Sequence, residues 1–168
     1  MNFEISSEHT LIAETVQRFI QERLAPLEAG IDAADEIDPA VIRALKQDVI
    51  DLGLFGYNMP ATLGGPDLSV AAQCLIDEAL GHTTMPLAEA FGHLPGSLRA
   101  ASAEQREWLV KPLMQAQTTI AYALTEPAAG SDLSAVATRA ERVPGGWRLN
   151  GTKHFISAAE HADHLIVL

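Results

Sequence analysis

The chain has 168 residues, with 48% hydrophobic and 20% charged side chains, which is ordinary globular composition with enough apolar material for a core. Lys+Arg total 11 against Asp+Glu 22, and the resulting net charge of -11 excludes a dense positive surface for nucleic acid or an anionic membrane. Acidity of this size reads as a solubility feature. A phosphate-bearing ligand stays open, because helix N-termini hold anions without net positive charge.

In chain order, Ile12, Val16, Phe19, Ile20 and Leu24 recur at helical spacing, with Glu14, Gln17, Arg18 and Gln21 on the other side. That predicts an amphipathic helix capped by Ser6 or Ser7 and stopped by Pro26. Asp32, Asp35, Glu36 and Asp38 form a solvated acidic run before the next helix. There Asp38 is the cap, Pro39 the first helical residue, and Val41, Ile42, Leu45, Val49 and Leu52 the buried stripe, with Gly53 or Gly56 at the end. Residues 58–66, NMPATLGGP, have the Pro/Gly density of a loop.

A third helix is predicted over residues 69–80 with Gly81 at its C-terminal end, and a fourth around 86–91. A fifth begins at Ser102, where Gln105 has the spacing of a capping box. It carries Trp108, Leu109 and Leu113, and Pro112 within it predicts a kink or break. Residues 1–117 therefore read as an all-α domain, which by itself declares no chemistry.

The period changes at Thr118. TTIAYALT is rich in β-formers and too short for a helix before Pro127. Residues 138–142 and 147–149, joined through Gly145-Gly146, make a hairpin. Asn150-Gly151 signals a second tight turn leading into a strand at 153–157. HLIVL, residues 164–168, reads as an apolar strand. The fold class is α+β, an N-terminal all-α domain (1–117) followed by an incomplete antiparallel β-domain (118–168). A sheet of so few strands leaves edges and an apolar face uncovered, so the chain reads as part of a longer protein.

Within the β-part, residues 122–132 read YALTEPAAGSD and residues 150–158 read NGTKHFISA. A strand that delivers Leu124 and Thr125 to a Pro-containing turn leaves backbone N–H groups at its end, and Thr125 adds a hydroxyl. Ala128, Ala129 and Gly130 are small, so a bulky ligand can approach the backbone. Ser131 can hydrogen-bond a phosphate or a neighbouring ligand. The plainer account of the same residues is a capped turn, with Ser131 or Asp132 as N-cap. The two segments together favour a ligand site.

In this order and separation the segments resemble the flavin-binding signature of the acyl-CoA dehydrogenase family, and GLFGYNMPATLGGPDLS resembles a family loop between N-terminal helices. The resemblance covers essentially the whole chain, and the chain covers less than half of a family member. It implies FAD as cofactor. Tyr122, Leu124 and Thr125 fall where the family contacts the isoalloxazine, Leu124 through its main chain. Gly130 and Ser131 fall at the FAD pyrophosphate, and Ser131 also faces the thioester substrate. Phe155, Ile156 and Ser157 fall where Trp-Ile-Thr usually lines the flavin. Phe keeps an aromatic face without the indole N–H, and Ser keeps the hydroxyl without the methyl. Ala128 replaces a more common Gly.

The resemblance further implies α,β-dehydrogenation of an acyl-CoA, an electron-accepting partner flavoprotein and a homo-oligomer. The family's catalytic base lies beyond Leu168, so no catalytic residue is assigned; Glu126 belongs to the turn. On that reading the 168-residue chain alone is inactive. The alternatives are an oxidase or monooxygenase of the same fold, or a non-catalytic helical interaction module.

Other residues carry less. Cys74 is the single cysteine, so neither an internal disulfide nor a Cys-based metal framework forms. His161 and His164 lack a third ligand in register, and His9, His82, His93 and His154 are scattered; no metal site is expected. MNFEISSEHT has neither the basic nor the apolar region of a secretory signal, and no apolar run approaches a membrane span, so the expected location is cytoplasmic.

Overall fold

Ser6 and Ser69 each start a helix, and the two helices pack together. In the computed structural model, which describes residues 4–34 and 37–168, the Ser6 hydroxyl accepts from the His9 N–H and begins α1, Ser7–Phe19. The Ser69 hydroxyl accepts from the Ala72 N–H and begins α4, Val70–Leu80. His9 ties the two starts together, its Nε2 lying 3.0 Å from the Ser69 Oγ. The acidic run read at Asp32, Asp35 and Glu36 lies outside the described side chains.

Pro26 does not stop the first helix. A π turn, Ile20–Leu24, follows α1, and the chain continues as α2, Ala25–Ala34. The Ala25 N–H reaches back to the Ile20 carbonyl, so the turn holds one residue more than an α turn. The slipped register absorbs the donor that Pro26 lacks and moves the preceding carbonyls away from its ring. Pro112 is treated identically. A short α6, Ala103–Gln105, leads into a π turn, Arg106–Val110, in which the Lys111 N–H returns to Arg106, and α7, Lys111–Met114, follows.

The cap readings at Asp38 and Ser102 hold. Asp38 accepts from Ala40 and starts α3, Pro39–Asp51, and Ser102 with Gln105 forms a reciprocal capping box. Gly53, with φ +71°, turns the chain out of α3. Leu45 and Val49 of α3 are buried, but Leu52 is 45% exposed, a correction to the predicted stripe: it is the C-cap, where the helical phase ends. The predicted fourth helix is α5, Met85–Ala88, followed by a 3-10 turn, Glu89–Phe91.

The helical core is formed by Val16, Phe19, Ile20 and Leu24 with Leu45, Val49, Phe55, Tyr57, Ile76, Leu87 and Phe91. Phe19 meets Phe91 edge to face at 5.5 Å, the arrangement that pairs ring edge with ring face. No helix of the described residues is long and apolar enough to cross a membrane.

Residues form two units that divide between Ala116 and Gln117. In the second unit, β2 (Arg139–Val143) and β3 (Gly146–Asn150) make the expected antiparallel hairpin, with Gly145 at φ +86° in its turn. β1 (Ile120–Ala123) and β4 (His164–Val167) pair in parallel, Tyr122 opposite Ile166. A parallel pair needs a crossover, and the turn, hairpin and loop between β1 and β4 supply it. The Asp163 carboxylate fastens the entry of that pair, accepting from the Thr119 N–H at 2.8 Å and hydroxyl at 3.0 Å, and these bonds hold its pKa below the usual carboxylate value.

The second hairpin, predicted from Asn150-Gly151, does not form. Residues 153–157 adopt no strand, because Lys153 and His154 bond to the turn after β1 instead. Gly151 also lies so close to Thr138 that a Cβ there would clash with the Thr138 side chain, so the chain runs tight against β2's entrance.

Candidate functional site

The site is built around the end of β1. Its last residue hands the chain to Leu124 and Thr125, and a tight turn closes when Glu126 and Ala129 exchange backbone hydrogen bonds, N–H to carbonyl at 2.9 and 3.1 Å. The carbonyls of the two preceding residues are both taken. The Lys153 Nζ donates to the Leu124 oxygen at 2.8 Å, and the His154 N–H donates to the Thr125 oxygen at 3.1 Å. Their N–H groups are different. Among the described residues, no backbone hydrogen bond is donated by Leu124 or Thr125.

A buried ion pair holds this arrangement. Glu126 is 5% exposed, and its Oε1 lies 2.8 Å from the Lys153 Nζ, itself on a side chain 11% exposed. The same carboxylate accepts from the Ala137 N–H at 2.8 Å and the Thr138 N–H at 2.9 Å. Lys153 first, with Thr138 and Ala137 behind it, holds the Glu126 pKa down at about 2, from an ordinary 4.5. One side chain therefore joins the β1 turn, the entrance of β2 and the segment after β3. Sequence reasoning passed over Lys153 and set Glu126 aside. The signal was a pair of opposite charges, one in each of two segments otherwise read as binding a single ligand.

The expected site residues fall on these same segments. Tyr122, on β1, is 40% exposed. Gly130 faces open space: a Cβ built there would meet nothing within 4 Å. Ser131 is exposed, while the next residue, Asp132, turns its carboxylate to the Ser134 N–H and hydroxyl, which lowers its pKa. Phe155 is 87% exposed and sits at φ +54°, in the left-handed region. An aromatic side chain held there against its backbone preference is a strained position of the sort that clusters at ligand sites. Its ring lies 4.2 Å from that of His154. Ile156 is half-buried and Ser157 exposed.

Unpaired donors at the end of a strand, room above Gly130 and an outward aromatic leave space and hydrogen-bonding capacity for a ligand. Among the described residues, no group of three or more His, Cys, Asp or Glu side chains is placed to hold a metal.

The chain is a helical unit followed by a small β-unit, and comparison with known proteins gives its family. The description "Acyl-CoA dehydrogenase, N-terminal domain" matches residues 6–117, and "Acyl-CoA dehydrogenase, middle domain" matches residues 121–168. The chain belongs to the acyl-CoA dehydrogenase family.

Among curated relatives, it is 37% identical over 172 aligned positions to the benzylmalonyl-CoA dehydrogenase of Aromatoleum aromaticum, covering 99% of this chain and 45% of the relative. Among solved structures, it resembles glutaryl-CoA dehydrogenase from Mycobacterium smegmatis with a TM-score of 0.82 at 28% identity, over 97% of this chain and 42% of that one. It also resembles PigA with FAD and proline, with a TM-score of 0.82 at 26% identity, over 99% of this chain and 44% of that one. The chain thus spans less than half the length of these relatives.

Proposed function

We propose that the chain is the N-terminal portion of an FAD-dependent dehydrogenase of CoA thioesters and that its β-unit, residues 118–168, carries part of the flavin site. The observation that carries this reading is the pairing state at Leu124 and Thr125 among the described residues: both carbonyls bound, both N–H groups without a backbone acceptor. When bound, FAD supplies the acceptor for the hydride leaving the β-carbon of the thioester.

The residues of this chain bind and orient. Main-chain donors of Leu124 and Thr125, with the Thr125 hydroxyl, would hold the pyrimidine edge; Tyr122, Phe155, Ile156 and Ser157 would line the ring; Gly130 and Ser131 would hold the diphosphate, with Ser131 also toward the thioester. Fixed donors of this kind stabilise charge without reorganising. Glu126 is not the base. A carboxylate held at about 2 by a buried lysine is a poor proton acceptor near neutrality. No residue of this chain is proposed to take the α-proton, and electron transfer to a partner flavoprotein belongs to the longer protein.

The similarity to a benzylmalonyl-CoA dehydrogenase favours a CoA thioester over other substrates. The similarity to PigA, a structure holding FAD and proline, supports a second reading in which the same scaffold serves an oxidase of another substrate class. Titration of the purified chain with FAD tests the common part: a shifted visible band with quenched flavin fluorescence is expected. An unchanged spectrum overturns the flavin assignment.

A further inference from the structure

The peptide unit joining Leu124 to Thr125 lies between a buried cation and a free donor. The Lys153 ammonium sits 2.8 Å from the Leu124 oxygen. In a trans peptide the C=O and the following N–H point in opposite directions and share one delocalised system. A positive charge on the oxygen draws electron density from the nitrogen, so the Thr125 N–H on the far side becomes a stronger donor.

We propose that Lys153 is a positioning residue that polarises the Leu124–Thr125 peptide, strengthening the Thr125 N–H toward the electron-rich edge of a reduced flavin, and that Glu126 moderates this effect. The inference rests on the flavin reading above. A carbonyl needs only some donor, as the neighbouring Thr125 oxygen shows by accepting an uncharged N–H from His154. Bringing an ammonium to Leu124 exceeds that need. At 11% side-chain exposure the charge is also poorly screened by solvent. Glu126 shares the ammonium from the other side at 2.8 Å and offsets part of its field.

A role confined to holding the fold predicts equal loss of affinity for oxidised and reduced FAD when Lys153 is changed. Polarisation predicts unequal loss, because only the reduced ring is rich in electrons at the edge facing Thr125. The experiment titrates the chain and its Lys153→Met, Lys153→Arg and Glu126→Gln variants with FAD and with chemically reduced FAD under anaerobic conditions. Lys153→Met is expected to lose roughly tenfold more affinity for the reduced form than for the oxidised one, about 30 mV in a two-electron couple. Lys153→Arg restores the ratio. Glu126→Gln moves it the opposite way, and this variant decides the matter should Lys153→Met fail to fold.

Unchanged ratios, or shifts of the same sign in Lys153→Met and Glu126→Gln, overturn the inference and leave the flavin reading standing. A wild-type chain that takes up neither form of FAD overturns both.

Discussion

Tyr57 and Asp77 are joined across the helical unit: the phenol of a residue 2% exposed donates a hydrogen bond to a carboxylate at the solvent edge of α4. Burial first, then the Asp77 carboxylate, pushes the Tyr57 pKa far above its ordinary value of 10.0. A raised folded pKa favours the neutral form, so this contribution to stability is complete below about pH 10 and lost as pH rises above it. In Tyr57→Phe the free energy of unfolding measured in urea falls at neutral pH by about 1.5–3 kcal/mol, toward the low end because Asp77 remains hydrated. Above pH 10 the gap between wild type and variant narrows. A gap that stays constant to the point of unfolding contradicts the assignment.

Gly92 and Gly53 separate two costs. Both have positive φ, +62° and +71°. A Cβ at Gly92 meets the Phe55 ring at 2.6 Å, whereas one at Gly53 meets nothing within 4 Å. Gly53→Ala therefore carries only the left-handed backbone term, about 1–2 kcal/mol. Gly92→Ala adds overpacking against a buried aromatic, a further 1–3 kcal/mol or so. Denaturation midpoints that place the two variants together rule out the close approach.

Features set by neighbours in sequence were legible, and those set by distant partners were not. The caps at Asp38 and Ser102 are decided within a few residues, so residue type alone placed them, and it narrowed the exit from α3 to Gly53 or Gly56. The Gly145 hairpin is likewise local. Pro26 misled because the π turn before it relieves the clash that ordinarily ends a helix. Asn150-Gly151 misled because Lys153 and His154 satisfy carbonyls of Leu124 and Thr125 on a remote segment, a competition that no local turn preference contains. The parallel pairing of β1 with β4 is equally remote. Of the site, the Pro/Gly turn and its flanking polar residues could be read directly. The Glu126–Lys153 pair needed the fold to bring its halves together.

That pair fixes an acid limit for the β-unit. Glu126 has a folded pKa of about 2 against an ordinary 4.5. A depressed folded pKa gives stability that is complete above the unfolded value and lost as pH falls through the window down to about 2. Asp132 and Asp163, also held low, act in the same direction. Glu126→Gln is expected to unfold at lower urea than wild type at pH 7, and the difference should shrink steadily below about 4.5. An equal difference at pH 7 and pH 3 contradicts the ion pair.

Thr125 and Ser134 provide a matched comparison of hydroxyls. The Ser134 hydroxyl is already committed to Asp132 at 2.6 Å on an exposed turn. Thr125 stands beside the free donors at the end of β1. Thr125→Val is expected to weaken FAD binding by about 1–3 kcal/mol, the cost of a lost hydrogen bond in a confined site. Ser134→Ala should leave binding unchanged. Equal FAD affinity in both variants removes Thr125 from the site.

Trp147 and Leu149 lie on one face of β3, since alternate residues of a strand point the same way, and they are 66% and 61% exposed. Their cross-strand partners on β2 are Arg142 and Ala140, and the Arg142 guanidinium covers only part of the stripe, 6.0 Å from the Trp147 ring centre. Burying apolar surface gains about 2.5 kcal/mol per 100 Å² before entropy costs, enough to drive association from a stripe of this kind. The net charge of -11 opposes it through long-range repulsion. Salt screens that repulsion, shortening its range to about 10 Å at 0.1 M and less above, while leaving the apolar attraction in place. The chain is therefore expected to self-associate at micromolar concentrations, more strongly as salt is raised, and Leu149→Lys should shift it toward monomer. Light scattering across a salt series checks this. A monomer at every salt concentration, in wild type as in the variant, shows that the stripe does not drive association.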